Sequence, residues 1–133
     1  MATIVKEINL KARPEAVWDA LKDFQAVHKR VAPGFLTDSR PDGVDARIVF
    51  FVNGTQAREL LVSTDDARRR LVYAIVGNER LKHHNASVQV VPNGENECRF
   101  VWTADLLPSE MAPYVSGQMD EGLKSMKPAL ERA

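Results

Sequence analysis

Residues 53–76 read NGTQARELLVSTDDARRRLVYAIV, and this stretch contains two strand-like segments joined by a polar turn. Gln56–Ser63 and Arg70–Val76 are rich in apolar and β-branched residues, whereas Thr64–Ala67 has the composition of a turn. Asn53-Gly54, before the first segment, is typical of a two-residue hairpin with a type I′ turn, which requires a positive φ at both central residues. The stretch therefore predicts consecutive antiparallel strands connected by short hairpins.

The same pattern continues on both sides of this stretch. Residues 3–11 alternate apolar and polar side chains, which is typical of a half-buried strand. Further strands, each bounded by turn-forming Gly, Pro, Asn or Asp, are predicted over Phe35–Ser39, Ala46–Val52, His84–Val91 and Cys98–Leu107. Six strands in succession predict an antiparallel meander, and the first strand brings the predicted sheet to seven.

Helices are predicted on either side of the meander. Pro14 suits the first position of a helix that follows strand 1, and a second short helix is predicted over about residues 25–31. A long helix is predicted over residues 110–131, where apolar residues recur at spacings of three and four: Met111, Val115, Met119, Leu123, Met126 and Leu130. We therefore expect one α+β domain over residues 1–133, with a seven-stranded antiparallel sheet around a long C-terminal helix and two short helices between strands 1 and 2.

Such an architecture predicts a space between the sheet and the helix. A helix with its side chains is only about 10–12 Å wide, which is too narrow to cover a sheet of seven strands. Either large side chains fill the remaining gap or a ligand does. Gly122 and Ser116 lie near the inner side of the predicted helix and favour some unfilled space.

The composition excludes several classes of function. The chain has 133 residues and carries 18 Lys and Arg against 18 Asp and Glu, so it lacks the basic excess that favours nucleic acid. No apolar run approaches the roughly 18 residues of a membrane span, and the N-terminal residues do not resemble a secretory signal. A single cysteine, Cys98, excludes an intramolecular disulfide. We expect a cytoplasmic monomer or homodimer without nucleic-acid partners or membrane insertion.

No metal site and no cofactor are expected from the sequence. His83 and His84 are neighbours in a predicted strand, so their side chains point to opposite faces and cannot bind one ion together. The chain contains no phosphate-binding loop, dinucleotide fingerprint, nucleophile elbow or zinc motif.

Three segments together resemble a known superfamily. Residues 13–24 (RPEAVWDALKDF), residues 53–75 and residues 122–131 (GLKSMKPALE) are similar, in order and spacing, to the START-like, or SRPBCC, superfamily of helix-grip proteins. This superfamily includes polyketide cyclases/aromatases, birch-pollen-allergen-like proteins and the plant abscisic-acid receptors. The resemblance covers the whole chain and implies a hydrophobic cavity between the sheet and the long helix, without implying one particular reaction.

Two polar residues are candidates for the cavity wall. His84 shares the face of its strand with Ala86 and other apolar residues, which predicts an inward side chain with either a structural or a pocket role. For Glu59, periodicity does not choose between the faces of the strand. Arg47 is its natural partner, either as a buried pair in the cavity or as an ion pair on the solvent face.

The resemblance adds further candidates. It aligns Glu59 with a pocket glutamate and places Tyr73 and Ile75 at pocket-lining positions, while His84 lies where relatives often carry a pocket tyrosine. Trp102 lies on the strand face that looks toward the helix, where it either fills the core or contacts a ligand. The full set of candidate ligand-binding residues is Arg47, Val49, Phe51, Glu59, Tyr73, Ile75, His84, Trp102, Val115 and Met119.

Three functions fit these observations. The first is binding of a hydrophobic or amphipathic small molecule, such as a lipid or a polyketide, in the cavity. The alternative is an enzyme of the polyketide cyclase/aromatase type, in which Glu59, His84 and Tyr73 transfer protons. The third is an interaction module whose core is completely filled by its own side chains.

Overall fold

The computed structural model describes residues 1–133 and confirms a seven-stranded antiparallel sheet. In chain order the strands are β1 (Ala2–Leu10), β2 (Leu36–Pro41), β3 (Ala46–Phe51), β4 (Gln56–Asp65), β5 (Arg70–Val76), β6 (His83–Pro92) and β7 (Cys98–Leu107). Their spatial order is β1-β7-β6-β5-β4-β3-β2, so strands β2 to β7 form the predicted meander. β1 pairs with β7, which places the first strand beside the last.

The helices also lie where the sequence places them. They are α1 (Pro14–Lys22), α2 (Val27–Arg30) and α3 (Ala112–Glu131), with short 3-10 segments at Phe24–Ala26 and Ser109–Met111. Pro14 is at the start of α1, where its missing N–H leaves no hydrogen bond unmade. None of the helices combines the length and apolar character that a bilayer-spanning segment needs.

The hairpin between β3 and β4 forms as predicted, but its turn differs from the expected type I′. Gly54 has a positive φ, of 91°, whereas the φ of Asn53 is not positive. The Gly54 amide donates to the Phe51 carbonyl at 3.0 Å, and the Phe51 amide donates to the Thr55 carbonyl at 2.8 Å. This pattern belongs to a three-residue loop, in which glycine supplies the one left-handed position. The Asn53 side chain accepts hydrogen bonds from Thr55 and fixes the loop.

The core lies between the concave face of the sheet and α3. The buried residues of α3 are Met119, Gly122, Leu123, Met126, Ala129 and Leu130. A Cβ atom at Gly122 would lie 3.3 Å from the Phe35 ring and 3.4 Å from both Trp102 and Met126. The expectation that Gly122 borders unfilled space is therefore wrong, since large core side chains fill the space that the glycine leaves.

Candidate functional site

A cavity of about 350 Å³ lies between the sheet and α3. Twenty-nine residues line it, of which 21 are hydrophobic. Its size and lining are typical of sites that hold small organic ligands. Nine of the ten candidate residues line this cavity, namely Arg47, Phe51, Glu59, Tyr73, Ile75, His84, Trp102, Val115 and Met119.

The tenth candidate, Val49, does not line the cavity. It lies on β3 between Arg47 and Phe51 and has no exposed surface. Its side chain belongs to the hydrophobic cluster of the core, where neighbouring side chains cover it completely. Alternation along β3 gives the correct face for Val49, but it does not show how deeply each position on that face is covered.

Arg47 and Glu59 form a buried ion pair at the cavity wall. They are directly opposite each other on β3 and β4, and 7% and 9% of their side-chain surfaces are exposed. Nε and Nη2 of Arg47 lie 2.8 Å and 2.7 Å from Oε1 of Glu59. Of the two alternatives that periodicity leaves open, the structure shows the buried pair.

Two further contacts hold the Arg47 guanidinium. Nη1 donates to the backbone carbonyl of Phe24 at 2.7 Å, and the guanidinium carbon lies 3.8 Å from the centre of the Phe24 ring. Phe24 lies in the short 3-10 segment after α1, so Arg47 ties the helical segment to the sheet. Both contacts from Arg47 to Glu59 are made at Oε1, and no hydrogen bond from the chain reaches Oε2.

His84 is held as a neutral hydrogen-bond donor. Its Nδ1 accepts a hydrogen bond of 3.0 Å from the backbone amide of Ile75, and an amide can only donate. The imidazole hydrogen is therefore on Nε2. Burial, assisted by the nearby His83, lowers the pKa of His84 from 6.5 to about 4, so the ring is uncharged at neutral pH.

Tyr73 also presents a hydrogen to the cavity. Its hydroxyl oxygen accepts a hydrogen bond of 3.1 Å from Nε1 of Trp102, and no group of the chain accepts the hydroxyl hydrogen. Burial raises the pKa of Tyr73 above its usual value, and the negative charge of Glu59 raises it further. Tyr73 thus stays a protonated phenol, and Trp102 acts both as a core residue and as its positioning partner.

Exposed lining residues mark the mouth of the cavity. They come from the β3–β4 hairpin, the β5–β6 loop and the start of α3, and are Thr55, Gln56, Arg80 and Tyr114. The Arg80 guanidinium lies 5.6 Å from the centre of the Tyr114 ring and bridges two of these segments. Sequence reasoning missed Arg80, because residues in loops carry no periodic signal and their neighbours are set by tertiary structure.

A sequence profile of a family described as polyketide cyclase / dehydrase and lipid transport matches residues 1–131. The chain belongs to this family. This membership agrees with the START-like resemblance carried by residues 13–24, 53–75 and 122–131. No curated protein sequence matches the chain at a significant level.

Solved structures of other proteins share the fold of this polyketide cyclase/dehydrase family member. XoxI from Bacillus cereus has a TM-score of 0.85 at 22% identity, covering 98% of this chain and 96% of that protein. A START superfamily protein from Mycobacterium smegmatis has a TM-score of 0.71 at 15% identity, with coverages of 97% and 94%. Norcoclaurine synthase from Thalictrum flavum has a TM-score of 0.73 at 16% identity, with coverages of 97% and 93%. At these identities the similarity establishes a shared START-like fold.

Other potentially reactive groups of this family member lie away from the cavity. The Cys98 thiol is buried among apolar side chains, and burial raises its pKa, which makes it a poor nucleophile. No cluster of three or more His, Cys, Asp or Glu side chains is arranged to hold a metal ion. The polar groups that face the cavity are therefore the candidates for contact with a ligand.

Proposed function

We propose that this protein binds an apolar or amphipathic small molecule in the cavity between the sheet and α3. The observation that carries the proposal is the cavity itself, which is largely hydrophobic, opens between three surface segments and bears a few fixed polar groups. A largely apolar cavity with a few fixed polar groups is typical of small-molecule binding sites. Membership of the polyketide cyclase/dehydrase and lipid transport family supports the proposal. The free, buried Cys98 fits the cytoplasm, with a monomer or homodimer as the working unit.

The alternative of a cyclase/aromatase enzyme has less support from the same groups. An acid–base mechanism needs a group that can take a proton from the ligand. His84 presents a hydrogen rather than a lone pair to the cavity, because Nδ1 is engaged by the Ile75 amide. Glu59 is already engaged in an ion pair with Arg47. Binding requires none of these groups to change protonation.

The proposal is tested by measuring the thermal midpoint of unfolding against the concentration of flavonoids, naphthalene derivatives and fatty acids. A ligand that binds only the folded state raises the midpoint progressively as its concentration exceeds the Kd. Native mass spectrometry of protein purified from its own host gives an independent measurement, because a retained ligand adds its mass.

A pair of matched variants shows whether the cavity is the binding site. Ile75→Trp places a larger side chain on the cavity wall, whereas Ile48→Trp makes the same change on β3, on the face of the sheet that points away from the cavity. We expect Ile75→Trp to abolish the ligand-dependent shift and Ile48→Trp to retain it. Equal shifts in both variants, or no shift with any ligand in the wild-type protein, would contradict the proposal.

A further inference from the structure

Two hydrogen-bond donors on the cavity wall have no acceptor within the chain. One is the Tyr73 hydroxyl, whose oxygen is already used as an acceptor by Trp102. The other is Nε2–H of His84, whose ring is fixed by the hydrogen bond from Ile75 to Nδ1. Tyr73 and His84 come from adjacent strands, their ring centres are 5.8 Å apart, and both line the same cavity.

Both residues line the cavity, and Nε2 of His84 is not sealed inside the protein. The unpartnered side-chain atoms that are completely enclosed are Gln25 Oε1, His28 Nδ1 and Ser39 Oγ, and Nε2 of His84 is not among them. Donors are normally satisfied when buried, because an unmade hydrogen bond costs free energy. An acceptor on a ligand would supply the hydrogen bonds that these two neighbouring donors lack.

The charges around these donors select the kind of acceptor. The positive charge of Arg47 is already paired with Glu59, and Arg80, the other cationic residue of the lining, lies at the mouth of the cavity beside Tyr114. The negative charge of Glu59 contributes to the raised pKa of Tyr73 and likewise disfavours a second negative charge beside that hydroxyl. The two donors also disfavour an ammonium group on the ligand, because an ammonium group can donate hydrogen bonds but has no lone pair to accept one. A neutral oxygen with two lone pairs satisfies both donors.

We propose that the ligand is an apolar molecule with a neutral carbonyl oxygen, as in an aryl ketone or a quinone, which accepts hydrogen bonds from the Tyr73 hydroxyl and from Nε2–H of His84. This inference rests on the proposed binding function and specifies its ligand class. The apolar remainder of the ligand packs against the aromatic and aliphatic lining, including Phe51, Ile75 and Met119.

Three flat probes of nearly equal shape test the proposal. 2-Acetylnaphthalene carries the ketone, 2-isopropenylnaphthalene replaces its oxygen by a CH₂ group, and 2-naphthoate carries a carboxylate. The Kd of each is measured by isothermal titration calorimetry at pH 7. We expect the ketone to bind about tenfold more tightly than the alkene, and more tightly than the carboxylate, since a neutral hydrogen bond contributes up to about that factor.

Two conservative variants assign the effect to the two donors. Tyr73→Phe removes only the hydroxyl group, and His84→Asn keeps an oxygen that can accept from the Ile75 amide while it removes Nε2–H. In each variant we expect the ketone to lose about three- to tenfold in affinity and the alkene to change less than twofold. The alkene thus serves as the internal control for damage to the cavity.

The outcomes separate this inference from the proposed function. If ketone and alkene bind equally, or if both variants weaken the two probes equally, the carbonyl assignment is wrong while the binding function stands. A carboxylate that binds best, and loses that advantage in Tyr73→Phe, also overturns the assignment. If none of the three probes binds while a fatty acid or flavonoid raises the thermal midpoint, the ligand class is wrong and the binding function stands.

Discussion

At the scale of single residues, two large free energies oppose each other in the buried Arg47–Glu59 pair: the cost of removing both charges from water and the attraction between them. Removing two charges from water costs several kcal/mol for each ion, and only good geometry recovers this amount. Here Nε and Nη2 of Arg47 both lie close to one carboxylate oxygen of Glu59. The Phe24 carbonyl accepts a hydrogen bond from Nη1. The two charges therefore compensate each other, and either partner alone would be an uncompensated buried charge.

This argument predicts that Glu59→Gln lowers the free energy of unfolding by about 3–5 kcal/mol, measured by urea denaturation, because Arg47 stays buried without a counter-charge. Asp42→Asn is the control. It breaks the Arg58–Asp42 pair, in which nearly half of each side chain is exposed, and should change stability by less than about 1 kcal/mol.

The double variant Arg47→Met, Glu59→Leu should recover much of the loss, since no isolated charge remains and only the Phe24 carbonyl loses its partner. A change below about 0.5 kcal/mol for Glu59→Gln would show that burial of this pair has no energetic consequence.

His84 makes a second prediction at this scale, concerning pH. Its pKa is about 4 in the folded protein against 6.5 for an ordinary histidine. As the pH falls below 6.5 the unfolded chain binds the proton first, so stability that is fully present above pH 6.5 is lost progressively down to about pH 4. Protonation of this group should lower the free energy of unfolding by about 3 kcal/mol in total.

The measurement is the free energy of unfolding at several pH values between 7 and 4 for the wild type and two variants. His84→Asn cannot bind the proton, so its stability should fall less steeply with acidification than that of the wild type. His83→Asn, at the exposed neighbouring position, removes only the smaller of the two causes of the lowered pKa and should keep most of the wild-type slope. Parallel curves for wild type and His84→Asn would refute the lowered pKa.

At the scale of elements, α3 contains two glycines in contrasting surroundings. Gly122 is buried where Phe35, Trp102 and Met126 meet the helix, and a Cβ there would approach all three closely. Gly117 is exposed and has no atom within 4 Å of the corresponding position. The helix thus approaches the sheet closely at Gly122, which allows the Trp102 ring to reach across the core.

We predict that Gly117→Ala raises the free energy of unfolding by about 0.5–1 kcal/mol, because alanine favours the helix over glycine. Gly122→Ala gains the same helical preference but forces two aromatic rings to shift, so its net effect should be at least about 1 kcal/mol less favourable. Thermal and urea unfolding of the two variants provide the comparison. An equal gain at both positions would show that the core around Gly122 is loosely packed.

At the scale of the whole molecule, the cavity results from a mismatch between a wide sheet and one helix. The sheet has seven strands, and α3 covers its concave face with one row of buried side chains. The lining also includes Leu21 of α1, Val27 of α2 and Val31 directly after α2, and part of the space stays open. The same helix that bounds the cavity also closes the core.

Removal of residues 110–133 should therefore leave the apolar face of the sheet bare. We predict that the protein truncated after Ser109 aggregates or stays unfolded, as shown by size-exclusion chromatography and circular dichroism. Removal of Arg132 and Ala133 alone, which lie beyond the end of α3, is the control and should leave a folded protein. A truncated protein that remains folded and monodisperse would contradict the role assigned to α3.

The sequence by itself determined the order of the elements, most of their boundaries and the inward face of His84. Each of these depends on local information: a period of two in strands, a spacing of three and four in helices, and the conformational preferences of Gly, Pro and Asn. Wherever one face of a strand is uniformly apolar, as around Ala86 and Val88, this information suffices. The type of the β3–β4 turn was missed because Asn53 bonds to Thr55 instead of adopting a positive φ.

Only the tertiary structure decided the position of Glu59, the role of Gly122, the coverage of Val49 and the place of Arg80 at the mouth. Strand β4 carries apolar residues on both faces, so its periodicity cannot orient Glu59, and its partners Arg47 and Phe24 come from other elements. Gly122, Val49 and Arg80 depend on which side chains approach from elsewhere in the fold. Such contacts join residues far apart in the chain, and the local pattern that specifies a strand or helix does not contain them.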